Sequence, residues 1–69
     1  MYMKNKFAEN IAQVRKEQGL TQKELAEKLG VITRTVSHWE TGGQECSLDM
    51  LIKIACFFSV TTDELLGIE

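Results

Sequence analysis

Residues 20–42 read LTQKELAEKLGVITRTVSHWETG, and their apolar spacing describes two short helices folded against each other across a tight turn. Thr21 followed three residues later by Glu24 is a capping box: hydroxyl and carboxylate each accept a bond from a backbone N–H that the helix leaves unpaired. The box predicts a helix starting at Gln22. Leu25, Ala26 and Leu29 then line one face, and Gly30 closes the helix where a left-handed residue is needed. Val31 follows the turn. Val36 and Trp39 recur three residues apart on a second periodic segment, from about Thr33 to Thr41, and are expected to face back onto Leu25 and Leu29. Ala26 is small where that second helix must approach closely.

The same periodicity extends in both directions. A first helix is predicted from about Lys6 to Gln18, capped by Asn5, with Phe7, Ile11 and Val14 inward; Gly19 ends it and Leu20 packs inward. Thr41-Gly42-Gly43-Gln44-Glu45-Cys46 is a loop, because paired glycines and polar residues break every period. Ser47 can cap a fourth helix from Leu48 to about Phe58, with Leu48, Leu51, Ile52, Ala55 and Phe58 inward. Thr61 and Glu64 form a second capping box, which opens a short fifth helix ending near Gly67. Residues 57–61 have strand composition but lie inside a stronger helical period. The expected fold is all-α: five short helices around one core, a single domain spanning residues 1–69.

The stretch from Gln22 through Ala26, Gly30, Val31, Val36 and Trp39 resembles the helix-turn-helix of the Cro/CI-type (lambda-repressor-like, XRE-like) transcriptional regulators. Leu48, Leu51, Ile52, Ala55, Phe58, Val60 and the run Thr61-Thr62-Asp63-Glu64-Leu65-Leu66-Gly67 fit that family's fourth and fifth helices, so the resemblance covers nearly the whole chain. It implies a regulator, a repressor by expectation, that binds double-stranded operator DNA. A homodimer on a pseudo-palindromic site is expected, since one recognition helix reaches only a few base pairs.

Composition bounds the alternatives. Sixty-nine residues allow one domain, which buries only roughly 60% of its unfolded surface. No apolar run approaches the roughly 18 residues of a membrane span, and the opening Met-Tyr-Met-Lys-Asn-Lys lacks a signal peptide's apolar core, so a cytosolic protein is expected with no membrane partner. Cys46 and Cys56 fit neither a disulfide framework nor a zinc site, and a single His makes a metal site unexpected. No cofactor is expected. Net charge is −2, an objection to nucleic-acid binding that the distribution partly answers. Residues 1–39 carry seven basic and four acidic side chains, whereas residues 40–69 carry Lys53 against six acidic ones. The end that would meet DNA is the mildly basic one.

The outward side chains of the second turn helix decide function, since such a helix fits a major groove about 12 Å wide in which each base pair shows a distinct donor and acceptor pattern. With Val36 and Trp39 inward, Thr33, Arg34, Ser37 and His38 face outward as base readers, Arg34 with the planar fork that pairs with guanine O6 and N7. Thr21, Gln22 and Lys23 stand at a helix N-terminus, where free N–H groups and the helix dipole attract phosphate. The resemblance implies that Gln22 clamps the DNA backbone and that the loop after the third helix supplies a second clamp, here through Thr41, Gly43 and the backbone N–H groups of Gly42 and Gly43. That loop departs from the family: Thr41, Gly43 and Gln44 stand where basic residues are frequent, Glu45 adds a negative charge, and Cys46 replaces a common proline. Ile32 stands where relatives place a Ser or Thr cap, so the cap moves to Thr33 or is lost, at a cost of about 1 kcal/mol. The resemblance also implies an ion pair between Arg15 and Glu40, tying the recognition helix to the bundle.

Ile54, Phe57, Leu66 and Ile68 exceed what so small a core requires and are candidates for a dimer surface. The second reading is a protein-interaction module of the same fold, such as an antitoxin, docking a toxin or sensor on the acidic half. An enzyme is the third class: no paired carboxylates in an apolar setting and no room for a deep pocket leave no catalytic constellation.

Overall fold

The computed structural model describes residues 6–68 as five helices: α1 (Phe7–Glu17), α2 (Gln22–Leu29), α3 (Thr33–Thr41), α4 (Leu48–Phe58) and α5 (Thr62–Leu66). The described residues are all-α, as expected. Local chemistry sets most of the boundaries. The Thr21 Oγ1 accepts from the Glu24 N–H at 3.0 Å while the Thr21 N–H donates to Glu24 Oε1 at 2.8 Å, and Thr61 and Glu64 repeat both bonds at the same distances. Ser47 Oγ accepts from the Met50 N–H at 3.2 Å. Gly30 ends α2 and Gly42 ends α3 at φ of +77° and +80°, a region open to glycine without a Cβ penalty. Ser59 takes the same left-handed position after α4 at φ +58°, at a cost of about 1 kcal/mol relative to glycine. α1 is a residue shorter at each end than expected; Lys6 stands at its N-cap without a side-chain bond, and Asn5 lies outside the described residues.

One core joins all five helices: Phe7 and Ile11 from α1, Leu25, Ala26 and Leu29 from α2, Val36 and Trp39 from α3, Leu51, Ile54, Ala55 and Phe58 from α4, and Leu65 from α5. Phe7 meets the Trp39 indole edge-on at 6.3 Å between centroids. Val14, Leu20, Val31 and Val60 are half-buried at its margin.

Helix α4 is rotated from its expected setting. Ile54, assigned above to a dimer surface, is 0% exposed, whereas Leu48 and Ile52, assigned to the core, are 71% and 47% exposed. Two helical periods overlap here and share Leu51, Ala55 and Phe58. The buried stripe is Leu51, Ile54, Ala55 and Phe58, spaced i, i+3, i+4, i+7, and it leaves Leu48 and Ile52 on its flank. Lys53, beside Ile54, supports this rotation by donating from Nζ to the Leu29 carbonyl at 2.8 Å, at the C-terminus of α2 where a cation is favoured.

The two ends of the domain are joined by α1. The Asn10 side-chain amide donates to the carbonyls of Glu64 at 3.1 Å and Leu65 at 3.0 Å, and the Lys6 N–H donates to Leu66 O at 2.9 Å. The Leu65 and Leu66 carbonyls are ones the end of a five-residue helix leaves over, while the Glu64 carbonyl, which also accepts from the Gly67 N–H at 3.2 Å, gains a second donor. Asn10→Ala is therefore expected to lower stability by about 1–2 kcal/mol, measured by urea unfolding. An unchanged midpoint would mean that water serves α5 equally well.

Among the described residues no helix is long and apolar enough to cross a membrane. Cys46 is half-buried and Cys56 exposed, both as free thiols, and burial pushes the Cys46 thiol above its ordinary pKa.

Candidate nucleic-acid interface

The α2–α3 pair is assembled by close packing across the turn. Gly30 donates its N–H to Glu27 O at 3.3 Å and Val31 to Ala26 O at 3.0 Å, which reverses the chain within three residues. Val36 and Trp39 turn inward from α3, and both are buried. The opposite face of α3 is what remains: Thr33, Arg34 and His38 are exposed and Ser37 is half-buried at its edge. No ion pair or side-chain hydrogen bond engages Thr33 or Arg34 among the described residues, so their donors are available to a ligand.

The back of α3 is held by charge as well as by packing. Arg15 donates to Glu40 through Nε to Oε2 at 2.6 Å and through Nη2 to Oε1 at 3.0 Å, and its Nη1 donates to the Leu20 carbonyl at 2.7 Å. The two side chains are 10% and 7% exposed. This two-bond fork fixes the orientation of α3 against α1. Burial pushes the Glu40 carboxyl upward, but hydrogen bonds from Arg15 and Gln22 and the Arg15 charge outweigh it and hold the group below the usual carboxylate range. The Arg15 guanidinium moves the other way, raised chiefly by its hydrogen bond to Glu40.

Gln22 belongs to the same network, which sequence spacing gave no sign of. Its Nε2 donates to Glu40 Oε1 at 2.9 Å, so one of its two amide hydrogens is used inside the domain. Lys23 is exposed on the first turn of α2. Thr21 spends its hydroxyl oxygen and its N–H on the capping box. Thr41 donates its hydroxyl to His38 O at 3.3 Å; the N–H of Gly43 donates to the same carbonyl at 2.9 Å, and that of Gly42 to Trp39 O at 3.3 Å. These bonds close α3, and they correct the expectation that the Gly42 and Gly43 N–H groups are open to phosphate. His38 Nδ1 lies 3.4 Å from Gln44 Oε1, a long contact.

The helix-turn-helix family pattern matches residues 11–65, from the middle of α1 into α5. The chain belongs to the helix-turn-helix family. Within that family it is 44% identical over 63 residues to the HTH-type transcriptional activator BcrR of Enterococcus faecalis, covering 91% of this chain and 31% of that protein. It therefore spans about a third of that relative's length. Among solved structures, a transcriptional regulator from Listeria innocua superposes with a TM-score of 0.91 at 37% identity, over 97% of this chain and 63% of that one. The biofilm master regulator SinR, solved in complex with DNA, superposes with a TM-score of 0.80 at 35% identity, over 88% of this chain and 98% of that one. The α2–α3 pair described above is the helix-turn-helix from which the family takes its description.

Proposed function

We propose that residues 1–69 act as one double-stranded-DNA-binding module of a transcriptional regulator. The observation that carries this reading is the exposed, unengaged face of Thr33 and Arg34, continued by His38, on a helix pinned from behind by Val36, Trp39 and the Arg15–Glu40 pair. A rigid helix with free donors at its N-terminal end is what major-groove reading requires. Gln22 and Lys23 meet phosphate. Thr21 and Thr41 flank the same contact, with donors largely committed inside the chain. Similarity to SinR, whose structure was solved with DNA, supports the same assignment. The module works as a homodimer on a pseudo-palindromic operator, with Phe57, Ile68 and half-buried Leu66 as the contact surface, and represses where that operator overlaps a promoter.

Two measurements test it. Selection from a random duplex pool is expected to yield a preferred operator whose log K against log[salt] has a slope of about −4 to −7, if each subunit neutralises about 2 to 4 phosphates. A slope near zero, or no duplex retained at low salt, would remove the DNA reading and favour a protein partner.

Arg34→Ala is expected to cost about 1–3 kcal/mol on the selected operator, to lose little on scrambled DNA and to relax preference at one base pair per half-site. Lys23→Ala should weaken all duplexes alike and flatten the salt dependence. Equal loss on matched and scrambled duplexes for Arg34→Ala would move Arg34 from reading to clamping.

A further inference from the structure

Helix α3 begins unlike α2, α4 and α5. Thr21, Ser47 and Thr61 occupy the N-cap positions of α2, α4 and α5 at φ between −68° and −83° and ψ between 159° and 165°, each with a hydroxyl accepting from the N–H three residues on. Ile32 occupies the N-cap of α3 at φ −84° and ψ 155°, the same extended geometry, and has no oxygen to offer. The backbone is thus shaped for a hydroxyl cap and carries an aliphatic side chain. That side chain is not folded into the core either, being 67% exposed. In the free domain Ile32 costs a cap and leaves apolar surface in water, and nothing within the fold compensates.

Its place suggests what does. Ile32 directly precedes Thr33 and Arg34, at the end of α3 whose residues reach base edges when such a helix enters the groove. The one methyl group on the base edges of the major groove is the thymine C5-methyl. We propose that Ile32 is a specificity-determining residue that packs on the 5-methyl of a thymine, one in each half-site, next to the base pair read by Arg34. This inference rests on the DNA-binding reading above and adds to it the chemistry of one further base. The side chain left in water by the free protein is then covered by the operator, so the contact contributes only on DNA carrying the methyl.

The test uses deoxyuridine, which keeps every hydrogen-bonding group of thymidine and lacks the methyl. On the selected operator, each thymidine is replaced in turn and binding is measured for the wild type, Ile32→Ala and Ile32→Thr. At one position per half-site the replacement should weaken the wild type about fourfold, the worth of one buried methyl, and leave Ile32→Ala unaffected. Ile32→Thr should restore the cap, raise the folding equilibrium constant about fivefold in urea unfolding and reduce the thymidine preference.

If every thymidine-to-deoxyuridine step affects the wild type and Ile32→Ala by equal factors, the contact does not exist, although the domain still binds DNA. If no duplex is retained by any of the three proteins, the DNA reading fails and the inference with it. A gain in stability for Ile32→Thr with undiminished thymidine preference also overturns it.

Discussion

Glu40→Ala is expected to lower the unfolding free energy by about 3 kcal/mol, because it leaves the Arg15 guanidinium buried with one carbonyl in place of a two-bond carboxylate. For a domain of this size that is a large part of the whole margin, about 5 kcal/mol at the low end of the usual range. The loss should come mainly from the stranded charge and not from the absent attraction. The double change Arg15→Met with Glu40→Leu, which removes both charges and keeps apolar volume, should therefore recover most of it. Urea unfolding is the right measurement, since a guanidinium salt would screen the pair.

The pH dependence has a definite sign. The Glu40 carboxyl is held below its unfolded pKa, so the stability it contributes is fully present above the ordinary carboxylate range, near 4.3 for Glu. That stability is lost as pH falls through the lower folded value. The gap between wild type and Glu40→Ala should be constant near neutrality and close only in acid. A variant as stable as the wild type, or a gap that widens in acid, would show a solvated surface contact instead.

Ile54→Ala is expected to cost about 2–5 kcal/mol, the range for removing an aliphatic side chain from a site that cannot collapse around the void. Phe57→Ala, at a side chain 39% exposed that meets Phe58 edge-on at 5.0 Å between centroids, should cost the monomer less, about 1 kcal/mol. Sedimentation of the two variants separates packing from association. Ile54→Ala should lose unfolding free energy and keep its self-association, whereas Phe57→Ala should weaken self-association. Near-native stability of Ile54→Ala with lost self-association would reverse the assignment and return Ile54 to the surface.

Elements whose cause is local follow from the order of residues. Thr21 with Glu24, Ser47 with Met50, and Thr61 with Glu64 lie three residues apart, within reach of a single turn, so their bonds are dictated by the chain alone. Gly30 and Gly42 mark the ends of α2 and α3 for the same reason, and the spacing of Leu25, Leu29, Val36 and Trp39 permits only one inward face for each helix. From those faces the outward position of Thr33, Arg34 and His38 follows. The nearness of Arg15 to Glu40, 25 residues apart, was suggested by family resemblance and by no feature of spacing.

Tertiary structure decided what local chemistry left degenerate. In α4 two stripes share three residues, and periodicity cannot choose between Ile52 and Ile54; burial in the shared core, with Lys53 on the Leu29 carbonyl, chooses Ile54. Gln22 joins Glu40 across 18 residues and Asn10 reaches α5 across 54 and 55, separations at which only the packed fold sets who meets whom. Ser59 gave no signal because a non-glycine residue enters the left-handed region only when surrounding packing requires it. The hydrogen bonds of Gly42 and Gly43 span only three and five residues and are local by contrast: a helix that ends on a left-handed glycine turns those N–H groups back onto its last carbonyls.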